Sequence, residues 1–133
     1  MSKDMLLTTS LEPGYLRATA RGRFALTAAN HMFLNLLDAV AQEHAERILL
    51  DGREVTGMPR ALERYLYGAF VAAAAARLSP AVTPKPPKFA YVLTDPVLHH
   101  GRLGETTARN RGMSIRAFDN PDDAVEWLFG PDR

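Results

Sequence analysis

Along the first quarter of the chain the apolar positions keep a two-residue period. Leu16, Ala18 and Ala20 alternate with Tyr15, Arg17, Thr19 and Arg21, the pattern of a strand with one wet face. A preceding strand is predicted over Met5 to Leu11, and Glu12-Pro13-Gly14 supplies the turn, since proline presets φ at one central position and glycine accepts the positive φ of the next. The pair reads as an antiparallel hairpin at a sheet edge. From Thr27 to Glu46 the period lengthens, placing Phe33, Leu36, Leu37, Val40, Ala41 and His44 on one helical face, with Thr27 as the expected N-cap. Ile48-Leu49-Leu50, ending at Asp51, is a continuous apolar run and predicts a central strand buried on both faces.

Beyond a turn expected over Asp51 to Gly57, Pro59 suits the first position of a second helix. That helix is expected to reach Leu78 and to bury a stripe of Leu62, Tyr65, Leu66, Ala69, Phe70 and Ala73. Ser79 to Pro87 holds four prolines and predicts an irregular connection. Strands follow at Phe89 to Leu93 and at Ser114 to Phe118, and between them a helix is expected from Arg102 to Arg111, closed by Gly112. Asn120 as N-cap, Pro121 at the first helical position and Asp122 and Asp123 in the first turn mark the last helix, stopped by Gly130-Pro131. Strands alternating with helices predict an α/β fold with a mixed, mostly parallel sheet, an N-terminal antiparallel hairpin and about four helices.

Composition narrows the function classes. At 133 residues, 1–133 is expected to form one domain with a core of its own. The absence of cysteine removes disulfides, thiolate nucleophiles and cysteine-type zinc sites. The amino terminus lacks the apolar core of a secretory signal, and the longest apolar stretch, Phe70 to Ala76, falls far short of the roughly 20 residues that span a bilayer, so a cytoplasmic protein is expected. With 16 basic against 15 acidic side chains dispersed along the chain, no nucleic-acid footprint is visible.

Candidate chemistry is sparse. Asp51, Asp95 and Asp119 each follow a predicted strand, so their carboxylates are candidates to gather at the carboxyl edge of the sheet, where α/β proteins bind ligands; aspartate is also ordinary in such turns. Arg109 and Arg111 flank Asn110 and offer guanidinium forks to an anion, although cations also suit the last turn of a helix. His99-His100 has no third ligand at suitable spacing and reads as an exposed loop pair rather than a metal site. Gly101 and Gly104 match neither a phosphate loop nor a dinucleotide fingerprint, and no serine lies in a nucleophile-elbow context. Tyr65, Tyr67 and Phe70 are placed to line an apolar cavity, with Tyr65 and Phe70 read as core, and Trp127 reads as a core anchor. No catalytic residue, cofactor or metal is expected.

The segments Arg47-Ile-Leu-Leu-Asp51, Val55-Thr56-Gly57-Met58, Phe89-Ala-Tyr-Val92, Glu105-Thr-Thr-Ala-Arg-Asn-Arg-Gly112 and Phe118-Asp119, followed by Ala124 and Trp127-Leu128, resemble the SpoIIAA-like bacterial proteins, relatives of the STAS anti-sigma-factor antagonists. The resemblance implies a βα superhelix similar to STAS and CRAL-TRIO domains, and it implies a homodimer. It also implies a regulatory or protein-interaction module, or alternatively a carrier of an apolar, lipid-like molecule; any ligand is expected near the carboxyl ends of Ile48 to Leu50 and Phe89 to Leu93, where α/β proteins bind ligands. In the antagonists an Asp-Ser-Ser-Gly element opens the second helix and holds the phosphorylated serine. Here Pro59-Arg60-Ala61-Leu62 follows Met58, so no phosphoacceptor hydroxyl remains. Thr56 lies nearby but precedes the matching position, and it is retained with Asp51, Asp95, Arg109, Asn110 and Arg111 as a candidate ligand or partner site.

Overall fold

The computed structural model describes residues 5–78, 81, 85–95 and 97–131, with the side chains of 97 and 99–101 excepted. Strands β1 (Leu6–Glu12) and β2 (Tyr15–Arg23) form the expected hairpin around Pro13-Gly14, pairing from Leu6↔Arg21 to Glu12↔Tyr15. Helix α1 (Leu26–Glu43) leads to β3 (Arg47–Thr56), α2 (Ala61–Ala75) to β4 (Lys88–Val92), α3 (Val97–Asn110) to β5 (Ser114–Phe118), and α4 (Pro121–Phe129) follows. The sheet order is β1-β2-β3-β4-β5, parallel at every junction after the hairpin.

Because this order never reverses, right-handed crossovers carry α1, α2 and α3 to one face of the sheet. Helix α4 covers the other. Strand residues alternate accordingly: Ile48, Leu50, Phe89 and Tyr91 join the core beneath α1 to α3, while Leu49, Ala90 and Val92 pack with Ala124 and Leu128 of α4. On the α4 side Trp127 is partly buried, stacked obliquely on Phe118 at 5.8 Å, with the Lys88 ammonium 4.5 Å from its ring centroid.

Several boundaries move for local reasons. Helix α1 begins after Ala25, not at Thr27, because the Phe24 N–H bonds the Thr56 carbonyl at 2.8 Å and holds the chain extended one residue past β2. It ends early, with His44 exposed in the left-handed region at φ 52, its N–H on the Ala41 carbonyl, so His44 caps the helix rather than joining its buried face. The turn expected over Asp51 to Gly57 is instead the second half of β3. It stays paired with β2 across a register shift, from Thr19↔Asp51 to Arg21↔Glu54, where β3 carries one extra residue. That half of β3 is polar because β4 ends opposite Asp51 and leaves it flanked on one side only.

Helix α2 shows the largest correction. It starts at Ala61 rather than Pro59, and the buried residues are Gly68, Val71 and Ala72. Leu62, at 63 % exposed, Tyr65 and Leu66 face outward, and Phe70 is half-buried. Both sides of this alanine-rich helix are apolar, so periodicity does not choose between them; contact with α3 does. A Cβ on Gly68 would lie 2.4 Å from the Gly104 carbonyl oxygen, so the two helices cross backbone to backbone. Helix α3 starts five residues before the expected Arg102. The paired histidines therefore lie in a helix and not in a loop, although their side chains lie outside the described residues, as does most of the Ser79 to Pro87 connection. Gly101 and Gly104, poor helix formers, hid this start. No described helix is long and apolar enough to cross a membrane.

Candidate functional site

The sequence-derived candidates do not converge. Asp51 shares its face of β3 with Leu49, away from α1 to α3, and its carboxylate accepts hydrogen bonds from Arg17 at 2.8 Å and Arg53 at 2.7 Å and from the Arg53 N–H at 3.1 Å. The Arg53 hydrogen bond, opposed by desolvation, holds Asp51 below the usual carboxylate range. This ion triad fastens β2 to β3. Asp95 is exposed, and Asp119 accepts from the Asn120 amide at 3.0 Å. Among the described residues no three histidine, aspartate or glutamate side chains form a metal-binding group.

Thr56 is exposed at the carboxyl end of β3, whereas Arg109, Asn110 and Arg111 lie at the end of α3 that feeds the amino end of β5, so the topology puts them at opposite edges of the sheet. The arginines have partners there. Arg109 Nη1 lies 3.8 Å from Glu105, and Arg111 donates to the Tyr65 hydroxyl at 3.0 Å with its guanidinium 5.4 Å from that ring's centroid.

What the fold builds is a cavity of about 120 Å³ between the sheet and its three crossover helices. Its floor comes from the parallel strands: Ala20 of β2, Leu50 and Val55 of β3, Tyr91 of β4, and Ile115 and Ala117 of β5. Met32 of α1, Tyr67, Gly68 and Val71 of α2 and Gly104 of α3 close it from above, and Gly57 and Pro59 contribute from the β3–α2 connection. Open α/β sheets bind ligands where strand order reverses. Here nothing reverses, and the space opens instead beneath a single layer of helices, above the carboxyl ends of β3 and β4.

The lining is apolar apart from a few groups. The Tyr67 and Tyr91 hydroxyls bond each other at 2.8 Å, and Tyr67 also meets Phe24 edge to face at 6.4 Å. Burial pushes Tyr67 up to about 12 and Tyr91 well above the ordinary phenol value, so both remain proton donors at neutral pH. Arg64 donates from Nη1 to the Pro59 carbonyl, while its Nε is buried without a hydrogen-bond partner among the described residues. Glu105 faces the cavity as an already compensated acid: it accepts from Arg102 at 2.8 Å and from the Ala117 N–H at 3.2 Å. Of the three aromatic residues considered on α2, only Tyr67 reaches this space. Arg64, Tyr91 and Glu105 escaped sequence reasoning, because no local signal tells which residues of separate elements will share a cavity.

At the start of α2 the guanidinium of the N-cap residue, Arg60, has no acceptor to offer. Glu63 supplies the cap instead, accepting from the Arg60 N–H at 2.9 Å. That backbone hydrogen bond, first among its causes, lowers the Glu63 pKa.

No protein-family model matches the chain, and no curated protein matches it by sequence. Solved structures do match. An anti-sigma factor antagonist from Mycobacterium paratuberculosis superposes with a TM-score of 0.62 at 14 % identity, covering 96 % of this chain and 97 % of that one. An uncharacterised DUF3478-family protein with a SpoIIAA-like fold from Shewanella loihica gives 0.53 at 16 % identity, covering 94 % of each. Sheet order, crossover helices and near-complete coverage agree on one conclusion: this chain has a SpoIIAA-like fold.

Proposed function

We propose that this chain is a non-enzymatic regulatory or protein-interaction module that docks a protein through the outer face of α2. The observation that carries the reading is the row Leu62, Tyr65 and Leu66, at i, i+3 and i+4, exposed by 63, 41 and 41 %, with Met58 just upstream 49 % exposed. A helix apolar on both sides is normally covered on both. Likeness in fold to an anti-sigma factor antagonist supports a protein partner. The absence of a phosphoacceptor at the start of α2, where Glu63 already caps the helix, makes docking independent of phosphorylation at that turn. Association into a homodimer is part of the proposal.

A photo-crosslinking residue at Leu66, compared with one at exposed Asp38 on α1, tests it in the source cell. A protein adduct of defined mass is expected from position 66 alone, lost when Leu62→Glu is added. Equal adducts from both positions would refute the assignment.

One observation favours a second reading, in which the chain carries a small apolar molecule: the cavity above the carboxyl ends of β3 and β4. Its volume matches a ligand of about the size of benzene, which a cavity of ~150 Å³ accommodates. A long-chain lipid is several times too large for it.

A further inference from the structure

Resting on the second reading, that the cavity holds an apolar molecule, we propose that its occupant is a small aryl or short alkyl carboxylate, with the carboxylate held by Arg64 and the Tyr67–Tyr91 hydroxyl pair. Arg64, Tyr67 and Tyr91 line the same cavity. Arg64 is a cation without an ion-pair partner among the described residues, and its Nε–H is buried with nothing to donate to. A buried unpaired donor on a charged group is costly unless an acceptor completes it. The tyrosine pair adds a second donor by count: two hydroxyls bring two protons, the bond between them uses one, and the other remains to be donated. Burial keeps both phenols protonated, so neither competes as an anion.

The rest of the lining suits the apolar end of such a molecule, with Leu50, Val55, Met32, Val71 and Ile115 around it. Among the described residues Glu105 is the one acid on the wall, and Arg102 at 2.8 Å and Arg109 at 3.8 Å compensate its charge, so it neither satisfies Arg64 nor strongly opposes a second carboxylate. Charge discriminates among ligand heads here: an amine or a quaternary ammonium would leave Arg64 Nε unpaired and add like charge beside it, whereas a carboxylate accepts from both donor sets.

Benzoate and its neutral counterpart toluene are the probes, each titrated at millimolar concentration into the full-length protein and into Arg64→Met, with binding read from the methyl resonances of Leu50 and Val71. The expected result is that benzoate binds more tightly than toluene, and that Arg64→Met weakens benzoate by about tenfold or more while toluene affinity holds within about twofold, which also shows that the cavity persists in the variant. Should Arg64→Met fail to fold, Tyr67→Phe/Tyr91→Phe is read in the same way. Toluene binding equal to or tighter than benzoate, or a variant that leaves benzoate unchanged, overturns the carboxylate assignment and leaves the apolar-cavity reading standing. Absence of binding by both probes overturns the two together.

Discussion

Gly68→Ala tests the backbone-to-backbone crossing of α2 and α3, on which both the exposed face and the cavity depend. In a helix interior alanine is the better residue, and the exchange by itself would stabilise by about 1 kcal/mol. Packing opposes it: the added Cβ would lie 2.4 Å from the Gly104 carbonyl oxygen, 3.1 Å from the carbon of that carbonyl and 3.0 Å from Thr107 Cβ. No flexible side-chain tip can swing aside there, so the helices must separate, and overpacking of this kind costs about 1–3 kcal/mol or more. At 2.4 Å from a backbone oxygen the cost falls in the upper part of that range, about 2–3 kcal/mol, so the clash wins with a net loss of about 1–2 kcal/mol and a melting temperature lowered by roughly 3–10 °C. Gly104→Ala is the internal control. Its Cβ would lie 3.1 Å from the Arg64 carbonyl oxygen and 3.9 Å from that carbonyl's carbon, so the helices need separate by only a few tenths of an ångström, and a smaller loss than that of Gly68→Ala is expected. Urea titration followed by circular dichroism, with thermal melts alongside, measures both. A Gly68→Ala protein at least as stable as wild type would show that the crossing is looser than the structure has it, and would remove the reason why Leu62, Tyr65 and Leu66 face outward.

Asp51 predicts a pH dependence. Its folded pKa lies below the unfolded value of about 3.9, so the triad's contribution is fully present above that pH and is lost as pH falls through the folded value. Asp51→Asn is expected to cost about 2 kcal/mol at neutral pH and to flatten the acid limb of the stability profile; an unchanged slope below about pH 4 would contradict the assignment. Incubation with source-cell lysate and labelled ATP, followed by peptide mapping, is expected to find no stoichiometric phosphate around the start of α2; label on Thr56 would restore a phosphoswitch. Static light scattering at tens of micromolar is expected to return a dimer, and a monomer mass would refute stable self-association.

How far the sequence determined this protein differs from element to element. The hairpin, β5 and α4 were legible because their signals are local: Pro13-Gly14 dictates its turn, Ser114 to Phe118 is a short apolar run before an aspartate, and Asn120-Pro121-Asp122-Asp123 satisfies amides and dipole within one helical turn. The burial of β3 and β4 on both faces followed from their unbroken apolar runs, and the order of elements was sufficient to expect a mostly parallel sheet. Other features depend on partners distant in the chain. The polar second half of β3 is a strand only because β2 continues beside it, and the early start of α3 overrides the low helix propensity of its two glycines. The face of α2 that is buried was not decided by its own residues, since both faces are apolar; the close approach of Gly68 to Gly104 decided it. The same helix carries Tyr67 to Tyr91 and Arg64 to the cavity, while Asp51 and the Arg109–Arg111 stretch lie away from it. A cavity belongs to several elements at once, and its lining is set by helix crossings and strand register, which neither periodicity nor composition encodes.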